Sequence, residues 1–499
     1  MSSAYPPDPE VVGARWREMW LERLDALQPF AAHWMSYPWR DEYWKHGSVC
    51  EDFGAIEVPV YAIGGWADGY SNAVPRLLAS LAGPRKGLIG PWAHSFPHDA
   101  VPGPSIGFLQ EAVRWWDHWL KGKETGIMAE PMCRAWMQEW VQPQPQYEHW
   151  PGRWVAEDAW PGERMEPVTL QLDVGYLGDD VTATRELSFC SPQTTGLRAG
   201  EWCAFGADGE MPPDQRPDDG GSLVFDSGPL EAEMELLGAP VLELEISSDR
   251  AAALLAARLC DVAPDGSSLR VSYGLLNLCH RDSHEFPQPL EPDKPYRVRL
   301  QLNDLAHAFR AGHRIRLALS SSYWPIAWPS PDWATLTVRT NISTLTLPVR
   351  PPRAADASLP EFEAPDAAPG TPHIKLRRAP MRRTLQTDLT TNEMVYTLHS
   401  DGGELGGASV ARIEDIDLEI GYSITKRYRI LEDDPLSAQT ELIQRSHFTR
   451  GDWRIRVECR SSLTCTHDAF QSACYVEAFE GDEVVRSREF IQSIPRKLV

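Results

Sequence analysis

Two short segments of the sequence each end in a side chain that can move a proton. Residues 58–70 read VPVYAIGGWADGY and reach Asp68, and residues 85–98 read RKGLIGPWAHSFPH and reach His94. A carboxylate beside an imidazole can orient the ring and stabilise its positive charge while the other ring nitrogen accepts a proton. An acid and a histidine that follow consecutive strands would supply two of the three groups of a nucleophile–base–acid triad.

Both segments are typical of strands in a parallel sheet, and the residues between them are typical of a crossover helix. Residues 58–65 form a near-continuous apolar run that stops at two glycines, and residues 86–90 form a second short run. The intervening residues 71–83 have a helical pattern and are long enough to connect parallel neighbours. Asp68 and His94 should then emerge at one edge of the sheet. The alternative is that Asp68 forms a turn with the following glycine and His94 is an ordinary loop residue.

Two amphipathic helices accompany these strands in the first third of the chain, which holds fifteen of the twenty tryptophans. Residues 9–27 carry one apolar stripe and follow the capping residue Asp8, with Pro9 suited to the first turn. Residues 106–122 carry a second stripe and end at Gly122. In this second helix the side chains expected to face inward are Phe108, Leu109, Ala112, Trp115, Trp116 and Trp119.

The rest of the chain changes to short alternating stretches separated by turn residues. GSLVFDSG, APVLELEISS, YRVRLQLND and GHRIRLALSSS are examples, and their alternation predicts an antiparallel β-sandwich. Residues 351–373 are rich in proline and acidic side chains and predict a linker. Residues 374–499 alternate again and predict an antiparallel β-meander whose role the sequence does not indicate.

These motifs resemble those of the serine hydrolases related to cocaine esterase and X-Pro dipeptidyl-peptidase. The likeness rests on PVYAIGGWADGYSN for the acid, GLIGPWAHS for the histidine and RWWDHWLKG for a later helix. It continues in DQRPDD at 214–219, LCDVAPDGSS at 259–268 and FRAGHRIRLALSSSYWP at 309–325, which resemble the family's C-terminal jelly-roll domain. The acid and histidine motifs are specific in combination, and the likeness covers residues 1–350.

The resemblance implies acyl transfer from an ester or an amide. A serine would attack the carbonyl, His94 would act as general base, and Asp68 would orient the imidazole. Tyr70 and Trp92 flank these residues, and the resemblance implies that they line the substrate pocket. The equally weighted alternative is that both are aromatic residues of the core. The expected substrates are small esters, amides or short peptides.

The sequence departs from the family pattern at the nucleophile. The family carries a G-x-S-x-G turn well upstream of the acid, whereas the residues before Asp68 contain no such motif. GPSIG at 103–107 matches the pattern, but no strand leads into it, and Ser105 is better explained as a helix cap. Ser71 lies beside the acid and well past the end of the strand. We therefore expect the chain to lack the nucleophile-bearing N-terminal half of the hydrolase.

The predicted fold class is α/β plus all-β. In chain order we expect a helical cap segment (1–56), the C-terminal part of an α/β-hydrolase domain (57–160), a jelly-roll β-sandwich (161–350), the linker (351–373) and a β-rich domain (374–499). With only two hydrolase strands predicted, the strand at 58–64 should present an unpaired edge.

Three hypotheses about function follow. The first is a serine hydrolase of the esterase or X-Pro-peptidase type that is inactive alone because it carries only the acid and the base. The second is a non-catalytic binding or scaffold protein that retains the hydrolase fold. The third is that a separate polypeptide supplies the half that carries the nucleophile.

The composition argues against some classes of binding partner and indicates a cellular location. The chain has 71 acidic and 48 basic residues, a net charge of −23, which argues against a nucleic-acid or membrane partner. The N-terminal residues lack a basic segment followed by an apolar run, and the nine cysteines form no C-x-x-C pair, so we expect a cytoplasmic protein with reduced thiols. His94, His98 and Asp99 are interrupted by Pro97, so we predict no metal site, and no cofactor motif occurs.

Overall fold

The computed structural model describes residues 2–378, 380–402 and 408–499. It divides into two compact units. The larger unit comprises Arg40–Ser330 and Ala334–Ala368, and the smaller unit comprises the described residues of Met1–Trp39, Pro331–Trp333 and Pro369–Val499.

The helices are few and short compared with the strands. The α-helices are α1 (Pro9–Val12), α2 (Trp16–Asp25), α3 (Phe30–Met35), α4 (Glu42–Lys45), α5 (Ala73–Ser80), α6 (Phe108–Lys121) and α7 (Arg216–Asp219). The strands of the larger unit are β1 (Val60–Gly65), β2 (Arg85–Gly90), β3 (Cys133–Glu139), β4 (Gly152–Glu157), β5 (Glu166–Asp173), β6 (Tyr176–Gly178), β7 (Glu186–Phe189), β8 (Leu223–Asp226), β9 (Met234–Gly238), β10 (Val241–Ser248), β11 (Leu254–Val262), β12 (Ser268–Asn277), β13 (Tyr296–Gln301), β14 (Leu305–Phe309), β15 (Arg314–Ser320) and β16 (Leu336–Val349). Those of the smaller unit are β17 (His373–Arg378), β18 (Met381–Thr387), β19 (Glu393–Ser400), β20 (Ala408–Ile413), β21 (Leu418–Leu431), β22 (Asp434–Arg450), β23 (Trp453–Cys465), β24 (Ala469–Glu480) and β25 (Glu483–Pro495).

The strands of the larger unit are hydrogen-bonded into one sheet in the order β1-β2-β3-β14-β9-β16-β5-β6-β8-β15-β11-β12, with β4, β7, β10 and β13 as side branches. Strands β5 to β16, which we call the antiparallel region (residues 166–349), surround one apolar core. Its inward side chains alternate along the strands, and Phe225, Leu255, Leu317 and Leu345 are completely buried in it. This alternation is the pattern from which the sequence predicted β structure.

Strands β1, β2 and β3 are parallel, and we call them with α5 and α6 the parallel region (residues 60–139). Helix α5 makes the predicted crossover between β1 and β2, burying Val74 and Leu78. The expectation of only two hydrolase strands was wrong, because β3 pairs with β2 and then with β14, which joins the parallel region to the antiparallel region. Within the described residues β1 pairs with β2 alone, so its other edge is open as predicted.

The smaller unit contains the nine-stranded antiparallel sheet, in which β21 to β25 pair consecutively. Helices α1, α2 and α3 belong to this unit, whereas α4 and residues 40–56 belong to the unit that contains Asp68, so the predicted cap segment 1–56 is divided between the two units. The reason is the apolar stripe of α2. Trp20 and Leu24 are buried against a patch on β23 and β24 that comprises Ile455, Val457, Val476 and Ala478.

The first predicted helix, 9–27, is interrupted rather than continuous. Asp8 caps α1 by accepting the backbone N–H of Glu10, and Pro9 begins the helix, as the sequence indicated. Gly13 then adopts a positive φ of 66° and ends α1, so that α2 begins at Trp16. Only glycine adopts this backbone conformation at little cost.

The predicted linker 351–373 is anchored to the larger unit over much of its length. The carbonyl of Pro360 accepts a hydrogen bond from Arg134, whose guanidinium lies 3.9 Å from the centre of the Phe362 ring. The carbonyl of Glu363 accepts the N–H of Gly107 at 2.7 Å. Buried Arg134 therefore gives the proline-rich segment a fixed path, which its composition alone did not indicate. Among the described helices, none combines the length and the apolar character needed to span a bilayer.

Candidate active site

Close packing between the ends of β1 and β2 brings their following loops together. A Cβ on Gly65 would lie 2.0 Å from the carbonyl oxygen of Trp92, so only glycine fits there. The Ala67 N–H donates to the same carbonyl at 3.1 Å. The loop that carries Asp68 is therefore held against the loop that carries His94 by backbone contacts.

Asp68 and His94 form a hydrogen-bonded pair. His94 Nδ1 lies 2.9 Å from Asp68 Oδ2, and Asp68 Oδ1 accepts the backbone N–H of Tyr70 at 2.9 Å. The His94 backbone N–H donates to the carbonyl of Ala204 at 2.7 Å. The Asp68 side chain is 14% exposed and the His94 side chain is 44% exposed, so the carboxylate is shielded while the imidazole stays accessible. With Nδ1 engaged by the carboxylate, Nε2 is the nitrogen left to exchange a proton.

The pair opens on a cavity of about 710 Å³. Asp68 and His94 line this cavity together with mainly apolar groups, among them Tyr61, Ile63, Trp92, Phe96 and Phe108. A mostly apolar cleft with a few convergent polar groups is the usual form of a small-molecule site.

The two predicted pocket aromatics occupy different environments. Trp92 is 1% exposed and donates its indole N–H to the carbonyl of Pro104 at 2.8 Å, so it is a core residue that also forms part of the cavity wall. Tyr70 is 57% exposed, and its ring centre lies 5.7 Å from that of His94 and 5.3 Å from that of Trp202. Tyr70 therefore lies beside the imidazole at a tilted angle.

Neither of the two serines singled out in the sequence is hydrogen-bonded to His94. Ser71 is buried in a turn, where its N–H donates to the Asp68 carbonyl at 3.3 Å. The Ser105 hydroxyl donates to the Ala100 carbonyl at 3.3 Å. The expectation that Ser105 caps the next helix was wrong, because the residue at the helix cap is Gly107, and no side chain bonds to that helix end.

A segment more than a hundred residues away in sequence completes the surroundings of His94. Phe205 packs edge-on against the imidazole with ring centres 5.2 Å apart, and Cys203 Sγ lies near both members of the pair. Burial raises the pKa of the Cys203 thiol, an effect that the backbone N–H of Gly69 partly opposes. Sequence analysis missed these residues, because residues 202–205 (WCAF) match no known motif. They come close to His94 only in the folded protein.

Asp68 also lines a smaller cavity of about 110 Å³ that contains the buried carboxyl of Asp304. Asn72, which follows the lining residue Ser71, bonds to two other lining residues: its Nδ2 donates to Asn303 Oδ1 at 2.8 Å, and its Oδ1 accepts the N–H of Asp304 at 2.8 Å. Burial raises the pKa of Asp304 to about 6. This contact was also missed, since no local pattern connects Asn72 with residues so distant in sequence.

Two family models match this chain. Residues 2–96 match the X-Pro dipeptidyl-peptidase (S15 family) model, and residues 125–357 match the X-Pro dipeptidyl-peptidase C-terminal non-catalytic domain. Asp68 and His94 fall in the first match, and Cys203 and Asp304 fall in the second. The chain therefore carries both domains described for the X-Pro dipeptidyl-peptidases and is also similar to cocaine esterase, which confirms the resemblance read from its motifs.

Similar proteins include esterases and peptidases. A Mycobacterium bovis protein named as a serine esterase is 27% identical over 319 residues, which cover 56% of this chain and 46% of that protein. Cocaine esterase from Rhodococcus is 24% identical over 313 residues, which cover 58% of this chain and 53% of that protein. The chain thus spans about half the length of the curated relatives it matches.

Solved structures with the same fold carry related names. A CocE/NonD family hydrolase from Staphylococcus aureus superposes with a TM-score of 0.51 at 14% identity, covering 67% of this chain and 62% of that one. An aminopeptidase from a marine sediment Thaumarchaeota archaeon superposes with a TM-score of 0.53 at 19% identity, with the same two coverages. These likenesses support a hydrolase fold joined to β-rich regions.

Proposed function

We propose that this chain supplies the general base and the orienting acid of a serine hydrolase that cleaves esters or amides by acyl transfer. The observation that carries the proposal is the 2.9 Å contact between Asp68 Oδ2 and His94 Nδ1 where two adjacent parallel strands end. Similarity to esterases and X-Pro peptidases supports the same chemistry.

In the proposed mechanism His94 accepts and then returns one proton in each half of the reaction. Its Nε2 takes the proton of a serine hydroxyl as the serine oxygen attacks the substrate carbonyl, and it returns that proton to the departing alcohol or amine. Water then repeats the sequence on the acyl-serine, releasing the acid and restoring the serine. Asp68 keeps the Nδ1–H of His94 oriented throughout and stabilises the imidazolium that forms between the two transfers.

In this proposal the serine lies in a polypeptide segment outside the described residues. Within them, Asp68 provides the only side-chain hydrogen bond to His94, and Ser71 and Ser105 bond elsewhere. The matched segments make up only 46% and 53% of the two relatives, so a segment comparable in size to the matched one accompanies it in those proteins.

Two adjoining features of the parallel region favour such a segment. Strand β1 has one open edge among the described residues, which can accept another parallel strand. Helix α6 exposes an apolar stripe at helical spacing: Leu109, Val113, Trp116 and Leu120 are 40%, 57%, 54% and 74% exposed. A contiguous apolar surface of this kind marks an interaction site. We infer that the segment that pairs with β1 and covers the stripe of α6 is the serine-bearing part of a hydrolase sheet.

Complementation tests the proposal. The part of Rhodococcus cocaine esterase outside its match to this chain is fused ahead of the full chain, and folding is checked by gel filtration and circular dichroism. We expect this fusion, called the complemented chain, to hydrolyse p-nitrophenyl esters or Xaa-Pro p-nitroanilides. The preferred substrate then distinguishes ester from peptide specificity.

A pair of histidine variants provides the control. His94→Ala should abolish the activity of the complemented chain. His98→Ala should retain most of it, because His98 follows in the same loop but does not hydrogen-bond to Asp68 and does not line the cavity. A folded complemented chain without activity would contradict the proposal and favour a non-catalytic binding protein.

A further inference from the structure

A cysteine lies against the aspartate–histidine pair. One carboxylate oxygen of Asp68, one ring nitrogen of His94 and the sulfur of Cys203 all lie within 4.8 Å of one another. The three residues come from the loop after β1, the loop after β2 and an irregular segment before α7. Three different ligating groups therefore converge from three separate parts of the larger unit.

Backbone contacts hold the three segments in this arrangement. The N–H of His94 donates to the carbonyl of Ala204, the residue that follows Cys203, at 2.7 Å. The backbone N–H of Gly69 donates toward the Cys203 sulfur. A Cβ on Gly69 would lie 2.9 Å from the carbonyl oxygen of Trp202, so the close approach of the two segments depends on glycine. The positions of the ligating groups are thus set by the fold itself.

We propose that Asp68, His94 and Cys203 bind a thiophilic divalent cation of the Zn²⁺ type. Thiolate, imidazole and carboxylate are the three ligand types that Zn²⁺ takes in proteins, whereas Mg²⁺ and Ca²⁺ select oxygen ligands. Tetrahedral bonds of about 2.0–2.3 Å place the ligating atoms about 3.3–3.7 Å apart. All separations in this cluster are 4.8 Å or less, so shifts of about 1.5 Å at most are needed to bind the cation. Three protein ligands leave the fourth position for water.

Binding at this site has a consequence for the proposed hydrolase, and this consequence alone rests on the proposed function. A cation held by Asp68 and by a ring nitrogen of His94 removes both groups from proton transfer. Occupancy would therefore inhibit hydrolysis reversibly, and a chelator would restore it.

Cobalt provides an optical probe for the site. The reduced full chain is titrated with Co²⁺ while the sulfur-to-cobalt charge-transfer absorption is recorded, and Zn²⁺ is then added to displace the cobalt. We expect one equivalent to give this absorption in the wild type. Cys203→Ser should abolish it and weaken binding at least tenfold, and His94→Ala should also weaken binding at least tenfold. Cys190→Ser, which removes another cysteine that is not buried, should retain both signal and affinity.

A second readout does not depend on the fold of any variant. In the wild-type chain, Zn²⁺ should slow maleimide labelling of Cys203, mapped by mass spectrometry, at least tenfold without protecting Cys190. The proposal is overturned if the wild type shows no sulfur-to-cobalt absorption, if Cys203→Ser binds as tightly as the wild type, or if Zn²⁺ leaves Cys203 labelling unchanged. None of these measurements involves hydrolysis, so failure of the metal site and failure of the hydrolase proposal are separable.

Discussion

The larger unit contains two aspartate–histidine clusters with similar hydrogen bonds and different surroundings. In the parallel region Asp68 bonds to His94 at 2.9 Å, and in the antiparallel region Asp261 bonds to His307 at 2.8 Å and to His313 at 2.7 Å. The His94 side chain is 44% exposed beside a cavity, whereas the side chains of the second cluster are at most 8% exposed. The hydrogen bond alone therefore does not define a catalytic site, because proton transfer to a substrate also requires access.

Topology explains the difference between the clusters. Asp68 and His94 follow the ends of parallel strands, where loops gather at one edge of the sheet. Asp261 lies within β11, His307 lies within β14, and His313 lies just before β15, and all three side chains are buried. Under the proposed function the first cluster serves the reaction and the second serves stability, and variants in each should separate the two roles.

The largest effect is expected from Asp68→Asn in the complemented chain. The amide NH₂ can donate to Nδ1 of His94, which favours the wrong tautomer, and the uncharged amide does not stabilise the imidazolium, so the hydrolysis rate should fall about 10⁴-fold. Steady-state kinetics measure this loss. The matched control Asp117→Asn removes a carboxylate on α6 that pairs with Lys121 and Lys123 and should leave the rate within about twofold. Equal rates for wild type and Asp68→Asn would mean that Asp68 does not serve the reaction.

Removing the aspartate of the buried cluster should act on stability instead. Asp261→Ala leaves two buried imidazoles without their acceptor, and breaking such a buried pair costs about 3–5 kcal/mol. Urea unfolding followed by tryptophan fluorescence measures the free energy of unfolding. Asp68→Ala is the matched variant in the accessible cluster and should cost less than about 1 kcal/mol. Similar decreases in the free energy of unfolding for Asp261→Ala and Asp68→Ala would contradict the proposed difference between the clusters.

The buried carboxyl of Asp304 should make stability depend on pH. Burial raises its pKa to about 6 from an ordinary value of 3.8, so the folded protein holds this proton more tightly than the unfolded chain. The stabilisation is therefore fully present below pH 4 and is lost as the pH rises through 6. Between pH 4 and pH 8 the wild type should lose about 2 kcal/mol more stability than Asp304→Asn. The exposed control Asp179→Asn should show the same pH dependence of the free energy of unfolding as the wild type. If Asp304→Asn also showed that same pH dependence, the raised pKa of Asp304 would not be its cause.

The smallest effect on the isolated chain is expected from the exposed stripe of α6. Val113 and Leu120 are 57% and 74% exposed, so Val113→Ser and Leu120→Ser should change the free energy of unfolding by at most about 0.5 kcal/mol. Co-precipitation with a separately expressed serine-bearing half should nevertheless weaken. Phe225→Ala, in the closed core of the antiparallel region, is the contrasting variant and should cost about 3–5 kcal/mol. Unchanged co-precipitation by the stripe variants would exclude this surface as the contact.

The sequence predicted those features that depend on local pattern. The apolar runs that end in glycine located β1 and β2, and alternation located the β structure beyond them, with family motifs marking Asp68 and His94. The third parallel strand was missed, because RAWMQE mixes polar and apolar residues and its burial comes from neighbouring strands. The stripe of α6 was partly misassigned for a related reason: Leu109 and Trp116 were expected to face inward and are exposed, since periodicity identifies an apolar face but not what covers it.

Contacts between distant segments account for the rest. Cys203 and Phe205 reach His94 only through the tertiary fold, and the N-terminal helices pack on the C-terminal strands across more than four hundred residues. No periodicity or local motif encodes such pairings. The sequence therefore predicted that Asp68 and His94 lie close together at two strand ends, and it did not predict the groups that surround them.

Active-site labelling with a fluorophosphonate tests the central claim most directly, because the probe reacts with the serine that the base activates. The chain alone and the complemented chain are treated in parallel, and modified serines are mapped by mass spectrometry. We expect no labelled serine in the chain alone, and in the complemented chain one labelled serine outside this sequence whose rate of modification falls in His94→Ala. Labelling of Ser71 or Ser105 in the chain alone, at a rate that depends on His94, would contradict the account.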